Sequence, residues 1–176
     1  GSDFDDRIFG SNAIEGNLLQ GGRGNDELAG LGSNDTLEGG EGRDSLAGGN
    51  NNDLLRGGAD DDRLFGNADN DTIEGGEGDA FTNGGSGNDL INGGRGGSGS
   101  DGINGSSDND LLQGETGDDR LFGAAGEDTL EGGTGDDTLG GQADNDTLDG
   151  GDGEDGLNGG VGDDLMRGGD DNDRLF

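Results

Sequence analysis

The sequence predicts an all-β solenoid, a parallel β-roll of two facing sheets, and three observations carry that expectation. A nine-residue pattern, G-G-x-G-x-D-x-L-x, recurs along all 176 residues. One position in nine is apolar between two polar neighbours, the alternation of a strand that buries a single side chain. No apolar residues recur at helical spacing, and the 47 Gly spread through the chain oppose a helix.

In register, nineteen nonapeptides and two short insertions, Gly10-Ser11 and Gly93-Gly94-Arg95, account for every residue. Residues 39–47, Gly-Gly-Glu-Gly-Arg-Asp-Ser-Leu-Ala, show one unit. Its first six residues are expected to form a turn, with glycines at positive φ that let the backbone approach an ion. Its last three form a short strand. Two units make an eighteen-residue coil with a strand on each side. Stacked coils then give two short parallel sheets face to face. Nineteen units amount to about 9.5 coils, or roughly 45 Å at about 4.8 Å per strand.

The eighth position is the candidate core. It reads Ile8, Leu19, Leu28, Leu37, Leu46, Leu55, Leu64, Ile73, Thr82, Ile91, Ile103, Leu112, Leu121, Leu130, Leu139, Leu148, Leu157, Met166 and Leu175. Only Thr82 is polar. The sixth position is the candidate chemistry. It is Asp6, Asp26, Asp35, Asp44, Asp53, Asp62, Asp71, Asp89, Asp101, Asp110, Asp119, Asp128, Asp137, Asp146, Asp155, Asp164 and Asp173, with Asn17 and Ala80 as exceptions. A turn residue explains one or two such Asp, not seventeen in phase.

Composition says why these carboxylates need a partner. Only 23% of the chain is hydrophobic, its formal net charge is −33, and it has no Pro, Cys, His, Lys, Tyr or Trp. Such a chain is expected to be disordered by itself. One buried Leu per nine ordered residues recovers only part of the backbone entropy, and the acidic groups repel one another. A divalent cation would supply binding energy and cancel charge. Calcium favours six to eight hard oxygen ligands, with carboxylates and backbone carbonyls as the usual donors.

Period and motif together resemble the RTX (repeats-in-toxin) calcium-binding nonapeptide repeats, and the resemblance covers the whole chain. It implies multiple Ca2+ ions, each between the loops of repeats i and i+2. Two sixth-position Asp carboxylates and glycine-loop carbonyls would hold each ion. Seventeen such pairs exist in nineteen repeats, so full occupancy would add +34 to the −33. Asn17 can donate an amide oxygen. Ala80 cannot donate a side-chain oxygen, so its sites with Asp62 and Asp101 are expected to be weak or empty. The resemblance also implies a secreted or cell-surface protein, exported in one step through a C-terminal signal. Millimolar-range calcium affinity, about 10⁻⁴–10⁻³ M in simple extracellular modules, fits that location.

The chain reads as one domain, 1–176, with an irregular seam near 79–104 where Ala80, Thr82 and the second insertion fall together. A longer period lies over the short one. Arg7-Ile8-Phe9 returns as Arg63-Leu64-Phe65, Arg120-Leu121-Phe122 and Arg174-Leu175-Phe176, every six repeats. Phe9, Phe65, Phe122 and Phe176 should therefore share one outer face, roughly 14 Å apart. Exposed aromatics beside Arg are typical interface anchors, so the expected partners are calcium and a second copy, met through this stripe or end to end. The matching first and last triplets, with no polar capping repeat, are expected of an excised segment of a longer array or of a unit that stacks on others.

Other readings fail on chemistry. Three of the four N-glycosylation patterns, at Asn34, Asn70 and Asn145, arise because Asn and Thr flank the sixth-position Asp; the fourth is at Asn104. The Gly-rich strings have no Lys and no helix to complete a phosphate loop. Without His, Cys or Lys the usual nucleophile–base pairs cannot be built, so no enzyme is expected. Nucleic acid would be repelled, and no apolar run approaches a membrane span. Asn recurs at the fifth position, but mixed third positions (Arg23, Glu41, Ala68, Ser98, Val161) argue against an ice-binding array. Two roles remain: a rigid calcium-set spacer of an adhesin, surface layer or filament, or a calcium-triggered folding and secretion module of a protease, lipase or toxin.

Overall fold

Each repeat contributes one strand because its x-L-x triplet alternates and its glycines let the backbone continue flat. The computed structural model describes residues 1–12, 15–94 and 99–176. In chain order the strands are β1 (Arg7–Phe9), β2 (Leu18–Arg23), β3 (Glu27–Gly32), β4 (Thr36–Glu41), β5 (Ser45–Asn50), β6 (Leu54–Ala59), β7 (Arg63–Ala68), β8 (Thr72–Glu77), β9 (Phe81–Ser86) and β10 (Leu90–Gly94). They continue as β11 (Gly102–Ser107), β12 (Leu111–Thr116), β13 (Arg120–Ala125), β14 (Thr129–Thr134), β15 (Thr138–Ala143), β16 (Thr147–Asp152), β17 (Gly156–Val161), β18 (Leu165–Asp170) and β19 (Arg174–Leu175).

Odd strands form a ten-stranded parallel sheet in the order β1 to β19, and even strands form a nine-stranded one from β2 to β18. Register follows the eighth position: Leu28 pairs with Leu46, and Leu46 with Leu64. This is the two-sheet parallel β-solenoid of eighteen-residue coils.

Most strands are six residues long, not three. The first two glycines of each following repeat join the ladder, as Gly49 pairs with Asn67 and Gly58 with Gly76. Main-chain pairing to the coils above and below overrides the poor strand propensity of glycine. The turn is correspondingly shorter. Positive φ occurs at the second and fourth positions. Where the fourth is not Gly it is usually Asp, as in Asp60 (φ 78°), Asp69 (φ 74°) and Asp108 (φ 73°), a residue type that tolerates the left-handed region.

The register also corrects the placement of the insertions. A Cβ on Gly75 would meet the Gly93 carbonyl, and one on Gly94 the Gly76 carbonyl, so Gly93 and Gly94 hold the first and second positions. The three extra residues therefore fall between Gly94 and Gly99, where Arg95 and Ser98 lie outside the described residues. Gly10 likewise holds a first position, donating to the Ala29 carbonyl at 2.7 Å. The paired glycines Gly93-Gly94 and Gly96-Gly97 made the sequence ambiguous, and strand pairing takes the first pair it reaches.

The core is a single file of side chains from Leu19 to Leu157, with Ile8 and Met166 packed at its ends. Thr82 occupies the file fully buried, and its Oγ1 has no hydrogen-bond partner.

The outer faces differ. The odd sheet carries Phe9, Phe65, Phe122 and Phe176, of which Phe9 and Phe176 are exposed and the other two half-buried. Phe81, unanticipated by the triplet period, joins them and packs on Phe65 with ring centroids 5.9 Å apart. The even sheet carries Leu or Thr at the seventh position. A polar column at its ninth is cross-linked by pairs such as Arg56 with Glu38 and Glu74, and Gln113 with Glu131.

Candidate metal sites

The sixth residue stands just before each strand and, by strand alternation, points inward like the core residue two positions on. Asp26, Asp35, Asp44, Asp53, Asp62, Asp71, Asp89, Asp101, Asp110, Asp119, Asp128, Asp137, Asp146 and Asp155 are all buried, at most 4% exposed. Asp6, Asp164 and Asp173, near the ends of the stack, are half-buried.

Stacking joins these carboxylates into two ladders, one along each edge of the roll. Asp44 Oδ1 accepts the Asp26 amide N–H at 2.7 Å, and Asp62 Oδ1 accepts that of Asp44 at 2.8 Å. The odd ladder begins at Asp6 and runs through Asp62, then resumes from the Ala80 amide through Asp101, Asp119, Asp137 and Asp155 to Asp173. The even ladder runs unbroken from Asn17 to Asp164. Among the described residues, Asp62–Ala80 is the one i/i+2 pair without this bond.

The other carboxylate oxygen decides the chemistry. In thirteen repeats Oδ2 is buried without a hydrogen-bond partner. A buried unpaired carboxylate oxygen is costly enough to require explanation. Each one faces the first glycine of its own repeat, and in most a carbonyl of the next coil approaches the same point. A Cβ on Gly39 would collide with Asp44 Oδ2 and stand 2.6 Å from the Gly57 carbonyl oxygen, and one on Gly132 would meet Asp137 Oδ2 and the Gly150 carbonyl likewise. Only glycine leaves that space open. At the ninth repeat the Gly75 cradle holds the Ala80 methyl instead.

Burial pushes these carboxyls upward: Asp44, Asp53, Asp89 and Asp146 to about 6, and Asp62, Asp71, Asp101, Asp110 and Asp137 to about 7. The amide donated from the preceding coil pulls the other way but loses to desolvation. Neighbouring carboxylates add to the rise in all nine. At these nine positions the fold thus favours a proton or a cation over bare charge.

Calcium fits this donor set. Among the described residues no three His, Cys, Asp or Glu side chains gather about one point. The donors are instead a buried carboxylate oxygen and main-chain carbonyls, all hard oxygens with no nitrogen or sulfur, a calcium-type set. The ion would neutralise Oδ2 and the ladder's charge.

Sequence reasoning missed a second ladder. At the fifth position Asn or Asp side chains accept the amide of the fifth residue one coil on, as Asn25 Oδ1 from Arg43, Asn70 from Asn88, Asn109 from Glu127 and Asp118 from Asp136. The recurrence of Asn there was the visible signal. Short amide and carboxylate side chains brace the turns beside the metal cradles.

A calcium-binding β-solenoid is what this fold and these cradles define. The profile of RTX calcium-binding nonapeptide repeats matches residues 15–46, 47–81, 83–98, 95–130, 123–157 and 154–176. The chain belongs to that family. No curated protein matches it. No helix of the described residues is long and apolar enough to cross a membrane.

Proposed function

We propose that these residues form a non-catalytic, rigid, calcium-set spacer or scaffold in a secreted or cell-surface protein, of the adhesin, surface-layer or filament kind. The observation that carries this reading is the pair of ladders: buried Asp from Asp26 to Asp155 serve stacking and cation binding, and repeat follows repeat with no other chemistry between. Such a column is stiff only when its charge is cancelled, so calcium outside the cell sets its length.

Thirteen buried, unpartnered Oδ2 atoms favour a second reading. A chain that cannot fold without calcium would stay extended through an export channel and fold on release, as the tail of a protease, lipase or toxin. In both cases binding free energy is folding free energy.

Far-UV circular dichroism through a calcium titration tests the shared step, with light scattering on the same sample. A cooperative coil-to-β transition near millimolar calcium, reversed by chelator, is expected. Absence of any transition would overturn both readings. Growth in particle size at the transition supports the scaffold, and a steady monomer supports the folding tail.

A further inference from the structure

We propose that the two outer faces of the roll are complementary, so that a second copy packs its even sheet against the odd sheet of the first with solenoid axes parallel. The inference deepens the scaffold reading and rests on it.

Charge makes the first case. Five arginines, Arg7, Arg23, Arg43, Arg56 and Arg167, form ion pairs within the chain. Arg63, Arg120 and Arg174 form none among the described residues. All three are exposed at the seventh position of the odd sheet. On the even sheet it is the ninth position that is charged, with Glu38, Glu74, Glu131 and Asp149 against Arg56 and Arg167. Among the described residues the unpaired arginines therefore lie on one face, and a mainly acidic column lies on the other.

Topology decides which columns would meet. Seen from outside, a solenoid chain runs in the same direction across both faces. When two copies face each other with parallel axes, left and right exchange, so the seventh position of one meets the ninth of the other. Arg then opposes acid, and the Phe column opposes the Leu/Thr column. Antiparallel packing of two odd faces would instead set Arg against Arg.

Register makes the second case. With no stagger, coil meets like coil. Arg63 in β7 lies opposite Glu74 in β8, and Arg120 in β13 opposite Glu131 in β14. Each glutamate already accepts one bond, from Arg56 and Gln113 respectively, and a carboxylate has capacity for a second donor. Bulk alternates in the same register. Phe65 and Phe122 face Thr72 and Thr129, while Leu54, Leu90, Leu111 and Leu165 face Ala47, Asn83, Asn104 and Asn158. Coil one is an exception in bulk, setting Phe9 against Leu18, and coil two one in charge, setting Glu27 against Glu38, each already paired with an arginine of its own sheet, Arg7 and Arg56. Arg174, in the last half coil, has no even strand opposite.

Such an interface is heterologous and does not close on itself, so copies would add side by side into a ribbon or sheet. A strip of about nine coils by three residues is small for a stable dimer, so assembly would depend on concentration and on many neighbours. Cancelling the −33 charge with calcium is its precondition.

Two charge-reversed proteins test the proposal: R63E/R120E on the odd face and E74R/E131R on the even face. Sedimentation velocity in saturating calcium would follow assembly, and circular dichroism would follow folding independently. The expected results are growth with concentration for the unaltered chain and loss of about tenfold or more in association for each variant alone, the scale of like-charge juxtaposition. Growth should return when the two variants are mixed. The proposal is overturned if the folded chain stays monomeric, if only the odd-face variant matters, or if mixing fails to restore assembly. If calcium induces no β signal at all, the scaffold reading fails first, and this interface fails with it.

Discussion

The ninth and fifteenth repeats lie on the same edge of the roll, three coils apart, and differ where it matters. In the fifteenth, Asp137 accepts the Asp119 amide, donates its own to Asp155, and aims Oδ2 into the Gly132 cradle above the buried Leu139. In the ninth, Ala80 still donates its amide to Asp101 but offers nothing to Asp62, and the core residue is Thr82. Yet β9 pairs with β7 and β11 in undisturbed register. Main-chain pairing and the uninterrupted even ladder carry the coil across the gap, so the backbone does not report where a carboxylate is missing. The expectation is that the two columns of side chains are separable, one setting whether the coil closes and the other how much calcium it needs.

The largest effect should come from attacking the core of the regular repeat. Leu139→Asp places a carboxylate in a file with no polar partner, where uncompensated buried charge costs several kcal/mol. Circular dichroism should show no cooperative transition even at saturating calcium. Asp137→Ala should be milder. It copies the ninth repeat into a regular stretch, weakens the sites shared with Asp119 and Asp155, and leaves the fold intact with a higher calcium midpoint. Calorimetry should count fewer ions, by one or two. Ala80→Asp is the reverse edit and should add them. An unchanged count in both variants would break the claim that the two columns are separable.

Acid should separate proton from cation. Asp62 and Asp101, on either side of Ala80, are held at about 7 by burial, well above an ordinary carboxyl. A carboxyl whose folded pKa exceeds its unfolded one binds more protons when folded. Stability of the metal-free roll should therefore rise as pH falls from about 7 toward 4 and be lost as pH climbs back. In calcium the sign inverts, because protons compete for the same oxygens and the midpoint should move to higher calcium. Without metal, the β signal should be stronger at acid than at neutral pH.

How far the sequence revealed all this varies by position. The period, the Leu file and the Asp columns were plain because side chains repeat in phase with the structure. Strand length was not. Glycines at the first two positions look like turn residues, and only pairing with coils eighteen residues away makes them strand. The insertion near Gly93 was misplaced because two glycine pairs compete for one register. The bracing role of Asn25 and Asn70 was hidden for another reason. The sequence showed the recurrence of Asn, but the amide each one accepts comes from the next coil. Phe81 fell outside the triplet period and met Phe65 only across strands.

Thr82 offers the finest probe of the same comparison. Its methyl and hydroxyl fill the volume of a valine, and its Oγ1 is buried without a partner. A buried hydroxyl in that state costs about 1–3 kcal/mol. Thr82→Val keeps the shape and removes the cost. The ninth repeat should become more stable by about 1 kcal/mol, with a slightly lower calcium midpoint and an unchanged ion count. That combination would place the defect at Thr82 in the core column alone. A changed ion count would mean that core and cradle are coupled through Phe81, the one residue between Ala80 and Thr82, and the two columns would then have to be treated as one.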